Sequence, residues 1–223
     1  MNVIDQSELP PNPSPHAAGI ALTMASVLMV VLMAFHPRAH VHRPDHFVEA
    51  FAAIATVNAL VHGSLVALLL VMFYGLSVFA KRLECRHPWA LFGTILFAFG
   101  VMALASAAVL SGLVVPAFVA QYADGSAADI EIVRHLVRLV YAIVISATRV
   151  GVVAVSSAVL VWALALLGYR NGMAAIGLVA GGLLLVALAS GHLAMDVHGM
   201  MFFALAQAAW SITVGVALIR GKI

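Results

Sequence analysis

Apolar residues run along this chain in long blocks separated by short polar or turn-forming stretches, without the alternation of a half-buried strand. Six blocks stand out, at 17–35, 48–80, 89–121, 132–169, 173–191 and 199–219. A helix crosses the hydrocarbon core of a bilayer with about 20 mainly apolar residues. Each block therefore predicts a spanning helix, and together they predict an all-α, polytopic six-helix transmembrane bundle in one domain over 17–223. Small and large apolar side chains mix within each block with no period of two, which argues against a lipid-facing barrel. Residues 1–16 are polar, include Pro10, Pro11, Pro13 and Pro15, and predict a flexible tail. They hold no Lys or Arg, so they do not read as a cleaved signal peptide.

The blocks are unequal. The first, fifth and sixth match one bilayer thickness, whereas the second, third and fourth are far longer than a core of ~30 Å requires at ~1.5 Å per residue. Counting from the basic ends places an outer boundary near His62, Ala108 and Arg149. The remaining stretches (48–61, 109–121 and 132–148) are expected to protrude or to fold back as an apolar cap, with Pro116 marking a break in the middle one. Simple tilting of long helices is the competing expectation.

Composition and charge fix the class and suggest the sidedness. The chain is 64% hydrophobic and 9% charged, with a mean hydropathy of +1.11, which excludes a soluble globule or a nucleic-acid reader. Lys81, Arg82, Arg86, Arg170, Arg220 and Lys222 gather on one side of the six spans. Arg38, Arg43, Arg134 and Arg138 flank the other. The positive-inside rule then places both termini on the cytoplasmic side of the membrane. A single cysteine, Cys85, provides no disulfide and no CxxC motif. Gly177-x3-Gly181, with Gly182 beside it, predicts close packing of the fifth span. Gly125 and Ser126, between Asp124 and Asp129, read as an exposed acidic loop.

Histidine is the signal that points to chemistry. Of ten histidines, only His16 and His87 fall on the basic side. His36, His40, His42 and His46 cluster after span one, His62 sits at the outer boundary of span two, and His192 and His198 flank Asp196 in the turn before span six. Neutral imidazole is the commonest protein metal ligand, and ionisable groups at membrane depth usually face a cavity or a partner. His62, His192, Asp196 and His198 are the first-choice ligands for zinc or copper, with His36 and His40 second. Met33, Met195, Met200 and Met201 lie near enough in sequence to favour copper(I). The bland alternatives are a solvated loop, helix caps, and methionine as core filler.

Arg149 is expected either to hold an anion or to pair with Asp196. Arg138, His135, Ala142 and Ser146 continue one polar stripe with it, and Asn58 lies one turn before His62 as polar support. Both lysines lie at the basic edge, which excludes a retinal Schiff base. No Walker motif, nucleophile elbow or HExxH is present. Haem b held by His62 with His192 or His198 is a lower alternative. A non-catalytic packing or assembly subunit, with a membrane partner or a second copy on the apolar extensions, is another.

His36-Pro37 at the end of span one, Asn58-x3-His62-Gly63, Ser111-Gly112-x3-Pro116 and Ser190-Gly191-His192-x3-Asp196-x-His198-Gly199 carry one likeness. In these features the chain resembles small uncharacterised six-span inner-membrane proteins of bacteria. The resemblance implies the same topology and the choice of His62, His192, Asp196 and His198. It implies no substrate.

Overall fold

The computed structural model of the chain describes residues 14–37, 47–84 and 87–223. His40, His42, His46, Arg38, Arg43, Cys85 and Arg86 lie outside the described residues, as does most of the proline-rich N-terminal stretch. Every regular element among the described residues is helical: α1 Pro15–Ala34, α2 Phe47–Glu84, α3 Trp89–Val109, α4 Val115–Ala120, α5 Ala127–Ala165, α6 Asn171–Ala189 and α7 Val197–Ile219. A π-helical turn, Leu110–Val114, joins α3 to α4, so that these three pieces form one continuous helix. Counted this way, six helices are long and apolar enough to cross a membrane. The chain is an integral membrane protein of the all-α class.

Local chemistry explains where the ends differ from the expected ones. α1 begins at Pro15, inside the expected tail, because proline at a first helical position loses no hydrogen bond and already has a helical φ. α5 begins at Ala127, where a coil was expected up to 131. Ser126 Oγ accepts from the Asp129 amide and Asp129 Oδ2 accepts from the Ser126 amide, a reciprocal cap. The pair read as an acidic loop is therefore a helix start.

The six long helices close into a ring, each packed on the next: α1 on α2, α2 on α3, α3 on α5, α5 on α6, α6 on α7 and α7 back on α1. Small residues permit the close approaches. A side-chain carbon added at Gly19 would lie 2.6 Å from the carbonyl oxygen of Gly215 across the α1–α7 seam. One added at Gly151 would lie 2.6 Å from Leu104 across the α3–α5 seam. Gly177 and Gly181 seat α6 against Trp210 and Ser156 in the same way, whereas Gly182 has ordinary spacing to Leu160.

The bundle is apolar outside and partly polar within. Leu60, Met102, Val179 and Val186 are all more than 60% exposed, while Ser26, Asn58, His62, Thr148, Ser156, Gln207 and Ser211 are buried. That inversion suits a lipid surround. In water so much apolar surface would drive association.

α2 and α5 contain 38 and 39 residues. At ~1.5 Å per residue each is close to 60 Å long, about twice the hydrocarbon core. They do not fold back. Their outer ends continue past α1 and gather with α4 around a separate apolar core of Phe47, Val48, Phe51, Val115, Val119, Val133 and Val137. At the opposite end, Arg82 and Arg170 donate to the main-chain oxygens of Ile223 and Lys222, at 2.7 and 2.6 Å. The basic residues of that end thus share one face of the fold.

Gly151→Val should force α3 and α5 apart and lower stability by about 1–3 kcal/mol. Gly182→Ala should be neutral. Reversible unfolding in mixed micelles measures both.

Candidate functional site

The site grows out of the π-helical turn. The Val115 amide reaches back five residues to the carbonyl of Leu110 instead of four to Ser111. The next residue, Pro116, has no N–H to give. The Ser111 carbonyl therefore has no helical donor. The expected break at Pro116 does not occur, because the helix widens by one residue and runs on. Asn58, buried on α2, donates its Nδ2–H to the freed Ser111 oxygen at 3.2 Å. This contact fixes α2 against α3 at the outer end of the ring.

One turn further along α2, His62 is also buried, 6% exposed. Its Nδ1 lies 2.9 Å from the main-chain carbonyl of Asn58. A carbonyl only accepts, so Nδ1 carries the hydrogen and Nε2 keeps its lone pair. Gly112, within the π turn, lies directly against the ring. Any side-chain carbon there would overlap His62.

His36 approaches from the end of α1. Its Nδ1 lies 2.9 Å from the carbonyl of Pro37, which fixes the same tautomer by the same logic. The two Nε2 atoms stand 3.3 Å apart, with ring centroids 4.8 Å apart and planes at 73°. With each Nδ1 donating to its carbonyl, the two Nε2 atoms can share either a proton or a metal ion. Two imidazole nitrogens held by one ion at 2.0–2.1 Å are about 3.3–3.6 Å apart in tetrahedral or trigonal geometry, and the observed spacing lies at the short end of that range.

The pair lines a cavity of about 520 Å³ inside the ring, whose wall runs along α2 from Phe51 to Met72. α1, α2, α3, α5 and α7 all contribute to its wall. Met29, Met33, Met195 and Met200 are among its lining residues, and Asn58 and Asp196 add polar groups to the wall. Met33 packs in a small core with Val61, Leu65 and Ala204.

The other expected ligands stand apart from this pair. Gly191 ends α6 with φ of 75°, the left-handed turn that glycine adopts most readily. His192 follows on the exposed turn, its Nδ1 2.9 Å from Ser190 Oγ. Asp196 is the N-cap of α7, its Oδ1 accepting from the Gly199 amide at 2.9 Å. His198 is 79% exposed, its Nδ1 3.9 Å from Asp196 Oδ2.

Among the described residues no three His, Cys, Asp or Glu side chains converge as a metal ion would need. His62, His192, Asp196 and His198 are thus not assembled as one ligand set. His62 is turned toward His36, and Asp196 is engaged as a cap. Haem fares no better at the pair, since Nε2 atoms at this spacing leave no width for a macrocycle between them.

Arg149 is exposed on α5 and makes no ion pair with Asp196 among the described residues. Arg138 is likewise exposed on the outer part of α5. His135 supports Glu131 at 3.2 Å on the same extension, away from the cavity.

The Gly199 amide holds the Asp196 carboxyl below the usual carboxylate range, with His198 adding a smaller pull. Comparisons with protein-family models, curated proteins and solved structures found no match.

Asn58→Leu leaves the Ser111 carbonyl buried without a donor and should cost about 1–3 kcal/mol, read as a drop in unfolding free energy. Asp196 has a folded pKa below its unfolded one, so its stabilisation of α7 is present above the usual carboxylate pKa of ~3.9 and lost as pH falls through the lowered value. Amide-exchange protection at Gly199 and Met200 should be flat from pH 7 to about pH 5 and decline only below the usual range. In Asp196→Asn the decline should vanish.

Proposed function

We propose that this chain is an inner-membrane protein that captures a soft metal ion, copper(I) before zinc, between His36 and His62 at the outer mouth of its bundle. The approach of two imidazole Nε2 atoms to 3.3 Å carries this reading. Both Nδ1 atoms face carbonyls, so the two Nε2 atoms are turned toward one another. The methionines of the adjoining wall supply thioethers, the ligand type that selects copper(I). Two imidazoles and a thioether form a three-coordinate set that needs no carboxylate. The cationic end carrying Arg82 and Arg170 would face the cytoplasm, with the metal site on the other side.

A second reading is favoured by the outer part of α5. Ile132, Leu136, Leu139 and Ile143 recur at steps of four and three residues and remain 44–60% exposed. Such a seam suits a partner helix in an assembly.

Copper(I) titration of the purified protein under reducing conditions, with metal counted by mass spectrometry, tests the first reading. The expected outcome is one ion per chain, abolished in His62→Ala. In Gly112→Ala, where the ring is displaced, affinity should fall by about 10- to 100-fold. Met33→Leu should weaken copper(I) and leave zinc unaffected. Uptake unchanged in His62→Ala would overturn the metal site. Absence of uptake together with a partner of fixed stoichiometry would favour the assembly reading.

A further inference from the structure

The cavity runs lengthwise between the two apolar cores of the bundle. Phe51 and Tyr141 line it from the outer core, and Met72, Phe97, Leu104 and Val155 from the inner one. From Phe51 to Met72 its wall follows α2 for about 30 Å. A volume of about 520 Å³ spread over that length has a mean section of about 17 Å². That is a passage about 4–5 Å across, and carbon atoms in contact stand ~3.5–4.0 Å apart. One hydrocarbon chain has this width. Several polar groups on the wall are already engaged with it. Ser26 donates to the Leu22 carbonyl, Asn58 to that of Ser111 and Thr148 to that of Val144, while Asp196 caps α7. Buried water needs several polar partners at once, and a wall of this kind supplies few. An unfilled void carries a cost that grows with its volume. The passage therefore suits an apolar occupant.

We infer that this cavity holds one unbranched acyl chain of a membrane phospholipid, drawn from the bilayer around the ring. The outer surface of the helices is apolar, so phospholipid tails are the apolar bodies most abundant beside them. The cavity reaches the ends of α1 and α7, where Pro37 and Val197 line it. The head group stays at that level, with one tail inside the ring and the other in the bilayer. A fused-ring body or a methyl-branched chain is too wide for the passage. The inference is independent of metal capture, since it rests on the shape and apolarity of the wall and not on the imidazole nitrogens.

The test is native mass spectrometry of the full-length protein released from nanodiscs of dimyristoyl and diphytanoyl phosphatidylcholine in equal amounts, with a chelator present. The two lipids share a head group and differ by the methyl branches on their chains. One dimyristoyl lipid per protein chain should survive when the outer lipids are stripped, favoured about tenfold over the branched one, as overpacking of a fitted space predicts. Ala208 lies on the cavity wall and is 5% exposed. Ala208→Phe narrows the passage and should cut the retained lipid by about tenfold. Ala204→Phe, one turn earlier on α7, stands as the second variant if the first does not fold. Equal retention of the two lipids would overturn the inference. So would the absence of a retained lipid on the native chain, or retention unchanged in a folded variant. Myristic acid added at equal mole fraction should leave the phospholipid in place; displacement would make a free fatty acid the occupant and overturn the assignment to phospholipid.

Discussion

One hydrogen bond organises the outer half of this molecule: the Asn58 amide meeting the carbonyl of Ser111. A buried carbonyl has no water to satisfy it, and leaving it unmet costs about 1–3 kcal/mol. The wide turn before Pro116 creates such a carbonyl, and α2 must bring a donor to that height. Once Asn58 is fixed there, its own main-chain oxygen stands one turn below the His62 ring and sets its tautomer. The position of the imidazole pair is thus a consequence of how a proline was accommodated on another helix.

The ring of helices gives that pair its setting. α1 and α7 are drawn together at Gly19 and Gly215, and α3 and α5 at Gly100 and Gly151. Tight seams on opposite sides leave space between them, and the cavity occupies it. Its wall is mixed, largely apolar with Ser26, His36, Asn58, His62, Asp196 and Gln207 adding polar groups. An interior more polar than the surface is the pattern expected where lipid, not water, is the solvent.

Much of the fold was legible in the residue order because bilayer thickness imposes a length on every apolar block. The excess length of the second, third and fourth blocks was visible for the same reason. His62 and Asn58 stood out as polar groups at membrane depth. The partnership with His36 was harder to see, because it depends on where α1 ends relative to α2, and no spacing rule encodes that. His192 and His198 were drawn into the site by their nearness to Asp196 in sequence. The left-handed turn at Gly191 and the cap at Asp196 decide otherwise. Gln207 carried no signal, since one glutamine in an apolar helix reads as noise until its neighbours are known. The Ser126–Asp129 cap is legible as a serine followed three residues later by an acid, although Asp124 and Gly125 before it have the composition of a loop.

The wide turn at Leu110–Val114 couples two regions that otherwise look independent. It holds one residue more than ordinary winding would. Were that surplus to slip out, everything beyond it would swivel by about 100°, and Val115 and Val119 would swing out of the outer apolar core. The same slip would return the Ser111 oxygen to a helical amide and release Asn58. Assembly of the outer three-helix tip and orientation of the buried imidazole are therefore a single event in the winding of one helix.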